Sequence, residues 1–121
     1  MAEQSEARTL PATVTRTVEL DVRLPQPKLT ERVEVRRIRM PAGTPAGLHV
    51  HNGPVFGSIV TGTILFQIDG EPEIVLGPGD VFYEPEAARI ARFDAGDADV
   101  EFLGYFLLTA DQQAELEFPG E

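Results

Sequence analysis

The sequence contains no cysteine, so neither disulfide bonds nor thiolate metal ligands are available to the protein. It also has no apolar stretch of the length that a membrane-spanning helix needs. Residues 1–6 show neither the basic region nor the apolar run of a signal peptide. From these absences we expect a cytoplasmic protein with no membrane contact.

Basic residues are few, with 10 Lys and Arg against 20 Asp and Glu, which gives a formal net charge of -10. Such a surface repels phosphate backbones and argues against nucleic-acid binding. An acidic small-molecule substrate would need a local basic patch. The candidate cluster for such a patch is Arg36, Arg37 and Arg39.

Helical periodicity is weak throughout, and 10 prolines and 11 glycines divide the chain into short segments. The 121 residues suffice for one domain. Short alternating segments separated by turns predict an all-β sandwich or barrel. We expect strands at 14–24, 33–40, 48–51, 55–61, 63–68, 73–76, 81–83, 89–93 and 100–108.

The predicted domain organisation is a disordered tail over residues 1–12, a barrel over 13–110, and a short acidic tail or helical turn over 111–121. A change of apolar parity in the second strand predicts a β-bulge near Arg36 and Arg37. The segment 109–116 is the candidate for a short acidic helical turn.

The only two histidines, His49 and His51, stand two residues apart in a predicted strand. Alternate side chains of a strand point to one face, so both imidazoles would point to the same place. Imidazole is a preferred ligand of several transition metals. The pair therefore predicts half of a site for a divalent metal, with Fe, Zn, Ni, Mn and Cu as candidates.

The spacing around this pair resembles the first motif of the cupin family. That motif is a glycine, five residues, H-x-H, three or four residues, a glutamate, six residues and a glycine. Here the same positions hold Gly43, His49, His51, Val55 and Gly62.

The sequence also resembles the second cupin motif in its spacing, at Gly79, Pro85, Ala87, Ile90 and Asp94. The resemblance covers roughly residues 33–108. It implies an antiparallel jelly-roll barrel (a double-stranded β-helix) with its site inside. It also implies a small-molecule ligand and a homodimer, since cupins often pair through their sheets.

The sequence departs from the family pattern at the positions of the usual metal ligands. In cupins the two histidines are usually joined by the glutamate of the first motif and a histidine of the second. Val55 and Ile90 stand at those two positions here. The glycine of the second motif is Ala87, and its asparagine is Asp94.

A third ligand would then have to come from another strand. Tyr83 and Glu84 are adjacent, so at most one of them points into the barrel. An inward Glu84 would complete a set of two histidines and one carboxylate, which suits non-haem Fe(II). Asp94 and Glu101 are more distant candidates.

Three functions remain open from the sequence. The first is a metal-dependent enzyme with His49, His51 and Glu84 as ligands and with Glu84 and Tyr83 as catalytic candidates. Isomerisation, cyclisation, dehydration and oxygenation fit it equally well. The second is a metal-free enzyme in which a histidine is the general base. The third is a binding module without turnover.

Overall fold

The computed structural model describes residues 12–119 and contains nine β-strands there. Within this range no helix is present, and thus none that is long and apolar enough to cross a membrane. The strands are β1 (Arg32–Met40), β2 (Val50–His51), β3 (Val55–Thr61), β4 (Ile64–Ile68), β5 (Ile74–Leu76), β6 (Val81–Glu84), β7 (Ile90–Ala95), β8 (Val100–Leu108) and β9 (Leu116–Glu117).

The strands form a four-stranded sheet in the order β1-β8-β3-β6, a three-stranded sheet in the order β5-β4-β7, and a two-stranded β2-β9 ladder. All pairings are antiparallel. Except for the β4-β5 hairpin, consecutive strands lie in different sheets, as expected for a jelly roll. The predicted all-β jelly-roll barrel is therefore confirmed.

The core lies between the two larger sheets, where alternate residues of each strand point inward. β3, β6 and β8 contribute Ile59, Phe82 and Phe102 from one side. Four phenylalanine rings pack edge-on or tilted, with centroids 5.0 to 6.0 Å apart. Such geometry stabilises beyond area burial alone. The rings are those of Phe66, Phe82, Phe93 and Phe102.

Most predicted strands occur within one or two residues of their expected bounds, but the strand at 14–24 is wrong. Its alternation is real, yet the segment pairs with no described strand, and Val18 is 81% exposed. A strand requires a partner for its backbone groups, which the alternation alone does not supply. Residues 1–11 of the predicted tail lie outside the described residues.

The predicted bulge at Arg36 and Arg37 is also wrong. β1 and β8 pair without interruption from Arg32 opposite Leu108 to Met40 opposite Val100. The apolar side chains of β1 change from one face of the strand to the other because those at its start point away from the core. Val33 and Val35 are 56% and 54% exposed.

Up to residue 119, the C-terminal segment forms a turn and a short strand and contains no helix. Gln112 closes a turn by donating its backbone N–H to the Thr109 carbonyl, at 3.3 Å. The chain then extends, and β9 pairs Leu116 with His51. The acidic segment is thus attached to the histidine strand.

Ala87 adopts a left-handed backbone conformation, with φ of 65°, in the turn after β6. Glycine adopts this conformation readily, whereas a residue with a Cβ pays roughly 1–2 kcal/mol for it. The backbone N–H of Ala87 donates to the His51 carbonyl at 3.1 Å, which connects this turn to the histidine strand.

We expect Ala87→Gly to leave the free energy of unfolding unchanged or to raise it, because relief of strain offsets the greater freedom of the unfolded chain. Ala88→Gly is the matched control, without a positive φ, and should lower that free energy by about 0.5–1 kcal/mol. Urea unfolding of both variants measures the difference. Equal destabilisation by the two substitutions would contradict the assignment of strain to Ala87.

Candidate metal centre

The two histidines are held against the three-stranded sheet by an antiparallel bridge. His49 donates its backbone N–H to the Ile90 carbonyl at 3.2 Å, and Ile90 donates to the His49 carbonyl at 2.8 Å. Both imidazoles lie on the inner side of the barrel, with ring centroids 5.0 Å apart. His49 is 4% exposed, so its ring is sheltered from bulk water.

Glu84 approaches both imidazoles from the last residue of β6. Its Oε1 lies 2.6 Å from His51 Nε2 and 3.6 Å from His49 Nε2. Glu84 is only 3% exposed. A carboxylate so deeply buried requires partners of opposite charge or a cation.

Gly47 fixes the tautomer of His49. The Gly47 carbonyl oxygen lies 2.8 Å from His49 Nδ1 and can only accept, so Nδ1 carries a proton. In the neutral ring, Nε2 then offers its lone pair towards Glu84 and His51. Such an outer hydrogen bond is typical of metal-binding histidines, because it orients the ring and raises its basicity.

Burial and charge act in opposite directions on these groups. Burial by itself lowers the pKa of His49, but the Glu84 carboxylate and the Gly47 carbonyl outweigh it and raise that pKa above its usual value. Burial likewise raises the pKa of Glu84, but His49 and His51 outweigh it, and the net pKa is lowered. Glu84 is therefore ionised at neutral pH.

The three side chains fit a metal ion. Their candidate ligand atoms all lie within 4.8 Å of one another. Two donors at about 2.1 Å from a tetrahedral metal are roughly 3.4 Å apart, which the observed spacings approach. Two neutral nitrogens and one carboxylate suit a divalent transition metal with free coordination positions. His49, His51 and Glu84 could therefore hold a metal ion.

The three side chains open into a cavity of about 360 Å³. Its wall is mainly aromatic and aliphatic, which is usual for a small-molecule site. The C-terminal segment covers one side through Leu116 of β9 and through Phe118, which follows β9 and whose ring lies 6.5 Å from that of His49. The larger apolar residues in the rest of the wall are Ile38, Met40, Val55, Phe82, Phe93, Phe102 and Phe106.

Tyr83 is not brought into this site. As the sequence suggested, only one of the two adjacent residues points inward, and that residue is Glu84. Tyr83 stacks on Phe56, with ring centroids 5.0 Å apart, and lines a separate cleft with Lys28 and Glu86. Tyr83 makes no contact with the histidines, so nothing in this geometry supports its predicted catalytic role.

The two distant carboxylates also lie elsewhere. Asp94 is 3.4 Å from Arg92, and Glu101 pairs with Arg37 and Arg39. Neither is part of the group around the histidines. The guanidinium groups lower the pKa of Glu101, which keeps it ionised on the surface.

Leu116 and Phe118 line the cavity but were not singled out in the sequence. A weak signal was present, since these two apolar residues alternate with Glu115 and Glu117 in the manner of a strand. Their partner, the two-residue strand β2, is distant in sequence. Pattern alone could not connect the two segments.

A jelly-roll barrel with a buried group of two histidines and a carboxylate defines a cupin-like protein with a site inside. Residues 36–104 match the model of the cupin domain family, and the chain belongs to that family. No curated protein sequence matches the chain significantly.

Solved structures give the same fold. A DMSP lyase from Ruegeria pomeroyi is similar at 26% identity and a TM-score of 0.62, over 74% of this chain and 45% of that one. A predicted oxalate decarboxylase from Thermotoga maritima is 28% identical, with a TM-score of 0.53, over 62% and 65% of the two chains. A cupin-like protein from the same organism is 22% identical, with a TM-score of 0.61, over 71% and 65%. The chain spans less than half the length of the lyase it matches.

Glu84 lies next to a position at which cupins usually carry a metal ligand. Val55 occupies the position of the usual glutamate, and Glu84 is its direct partner across the β3-β6 ladder. The carboxylate therefore lies one strand away from its usual place. Ile90, at the usual histidine position, is fully buried and supports His49 through its backbone.

The pKa shifts predict how the stability of the metal-free protein depends on pH. His49, with its raised pKa, stabilises fully below its ordinary pKa of 6.5, and this contribution is lost as the pH rises through the raised value. Glu84, with its lowered pKa, stabilises above its ordinary value of 4.5, and this is lost as the pH falls through the lowered value.

We therefore expect the free energy of unfolding of chelator-treated protein to be greatest between these limits and to fall as the pH rises above 6.5. Glu84→Gln should flatten this decline, because it removes the charge that raises the pKa of His49. Glu101→Gln, which changes only a surface carboxylate, should keep it. Denaturant unfolding from pH 5 to pH 9 measures the slope, and identical slopes in wild type and Glu84→Gln would refute the coupling.

Proposed function

We propose that the protein is a metal-dependent cupin enzyme that acts on a small molecule inside the barrel. The observation that carries this proposal is the convergence of His49, His51 and Glu84 in a cavity with apolar walls. The names of two similar structures, a lyase and a predicted decarboxylase, support an enzymatic role.

The protein side of the reaction follows from the geometry. His49 and His51 would hold the metal through nitrogen, and Glu84 would hold it through Oε1. Bound there, a divalent metal supplies Lewis-acid chemistry at a carbonyl or enol oxygen, or redox chemistry if it is Fe(II). The apolar walls exclude water and strengthen every electrostatic interaction inside. The reaction type stays open among isomerisation, cyclisation, dehydration and oxygenation.

Metal analysis of protein purified without added metal tests the proposal. We expect about one divalent metal per wild-type chain, and at least about tenfold weaker binding in His51→Ala and in Glu84→Gln, since each loses a ligand of the metal. Glu101→Gln is the matched control and should bind like the wild type. Metal content that is substoichiometric in the wild type and unchanged in His51→Ala would overturn the proposal.

A metal-free enzyme is a second candidate, favoured by the 2.6 Å contact between His51 and Glu84. A carboxylate at that distance orients an imidazole for proton transfer. Turnover that survives complete chelation but fails in His49→Ala would favour this candidate over the metal-dependent one.

We also propose that two copies of the chain pair through the outer face of the four-stranded sheet. Outward side chains there form an apolar surface that includes Val33 and Val35, which are about half exposed, and the partly exposed Tyr105 and Phe56. Exposed apolar patches of this kind mark interaction surfaces. The edge of β1 is unpaired within the described residues, and the segment 14–24, which pairs with no described strand, could supply a strand for it.

Light scattering after size-exclusion chromatography tests the pairing. We expect a wild-type dimer and a monomeric Val35→Lys variant, because a buried lysine without a partner opposes association. Val75→Lys changes an exposed valine on the other sheet and should remain dimeric. A monomeric wild type, or dimers of all three proteins, would contradict the choice of this face.

A further inference from the structure

The three arginines of β1 differ in their surroundings. Arg37 and Arg39 both pair with Glu101, away from the cavity. Arg36 points to the other side of the strand and lines the cavity that contains the histidines. Among the described residues, it is the only arginine or lysine in the cavity wall.

Phe106 connects Arg36 to the candidate metal centre. The guanidinium carbon of Arg36 lies 5.3 Å from the centre of the Phe106 ring, and the His51 ring lies 6.2 Å from the same centre. The guanidinium and an imidazole therefore flank a single aromatic ring. A ligand that contacts this ring therefore lies near both groups.

Two glycines lie in line with Arg36 across the four-stranded sheet. Arg36 pairs with Gly104 of β8, and Gly104 pairs with Gly57 of β3. A Cβ on Gly104 would approach the Phe106 ring to 3.0 Å, and a Cβ on Gly57 would lie 2.2 Å from the Phe82 ring. The aromatic rings thus fill the space over the glycines, and the floor beside Arg36 is smooth and apolar.

We propose that Arg36 is a specificity residue that selects a small organic acid, binding its carboxylate while the apolar walls hold its carbon chain. This inference rests on the proposed function in placing the ligand in the same cavity. A planar guanidinium matches a carboxylate with two parallel hydrogen bonds. In a chain with a net charge of -10, a single inward arginine gives an anion a local site in an otherwise repulsive field.

Glu34 is the group that competes with such a ligand. Its Oε1 lies 3.1 Å from Arg36 Nη2, and both side chains are partly exposed. Ion pairs in such positions contribute little free energy because water screens them. A ligand carboxylate can therefore replace Glu34 as the partner of Arg36.

Calorimetric titration with hexanoate and hexanamide tests the proposal. The two probes have the same chain length and differ in charge. We expect the wild type to bind hexanoate about two- to fivefold more tightly than hexanamide, because the partly exposed guanidinium of Arg36 pairs with the carboxylate and not with the neutral amide. Arg36→Gln should lose this preference and bind hexanamide as before.

Three further variants of the chain serve as controls. Arg37→Gln removes an arginine on the outer side and should bind both probes like the wild type, and Glu34→Gln should bind hexanoate more tightly. Glu84→Gln, repeated after chelation, separates this inference from the metal proposal, because an effect of Arg36 that persists there does not depend on metal. Melting temperatures of all variants show that they are folded.

Several outcomes would overturn the inference. These are equal losses in Arg36→Gln and Arg37→Gln, a hexanoate preference that Arg36→Gln leaves intact, or no measurable hexanoate binding by the folded wild type. An intact preference in Arg36→Gln that disappears on chelation would assign anion binding to the metal alone.

Discussion

The buried carboxylate of Glu84 is the constraint around which the barrel interior is arranged. An ionised group that is 3% exposed is costly unless opposite charges or a cation compensate it. Here His51 lies at 2.6 Å and His49 at 3.6 Å, and the Gly47 carbonyl orients the second ring. The histidine strand, the turn before it and the end of β6 must therefore all be in place together.

This constraint also links the C-terminal segment to the site. The two-residue strand β2 carries His51, and it is held by β9 on one side and by the bridge to Ile90 on the other. Short ladders of this kind open at low free-energy cost. This short ladder joins the C-terminal part of the cavity wall to the histidine strand.

Much of the fold and part of the site followed from local patterns. Alternation and turn residues placed the strands from 33 to 108 because each side chain there packs against its own sheet neighbours. Alternation failed at 14–24, where no partner strand is present among the described residues, and at Val33 and Val35, whose apolar side chains face outward. The alternation of apolar and polar residues shows which side chains share a face of a strand, but it does not show which face is buried.

The sequence by itself determined that two imidazoles share one face of a strand, that the frame is that of a cupin, and that Val55 and Ile90 cannot be ligands. These conclusions depend on residue identity and on the period of a strand. Only the tertiary structure decided that Glu84 turns inward while Tyr83 does not, and that Arg36 alone of its cluster faces the cavity. Those choices depend on strand pairing over long sequence separations, because the register across β1, β8, β3 and β6 sets which side chains meet.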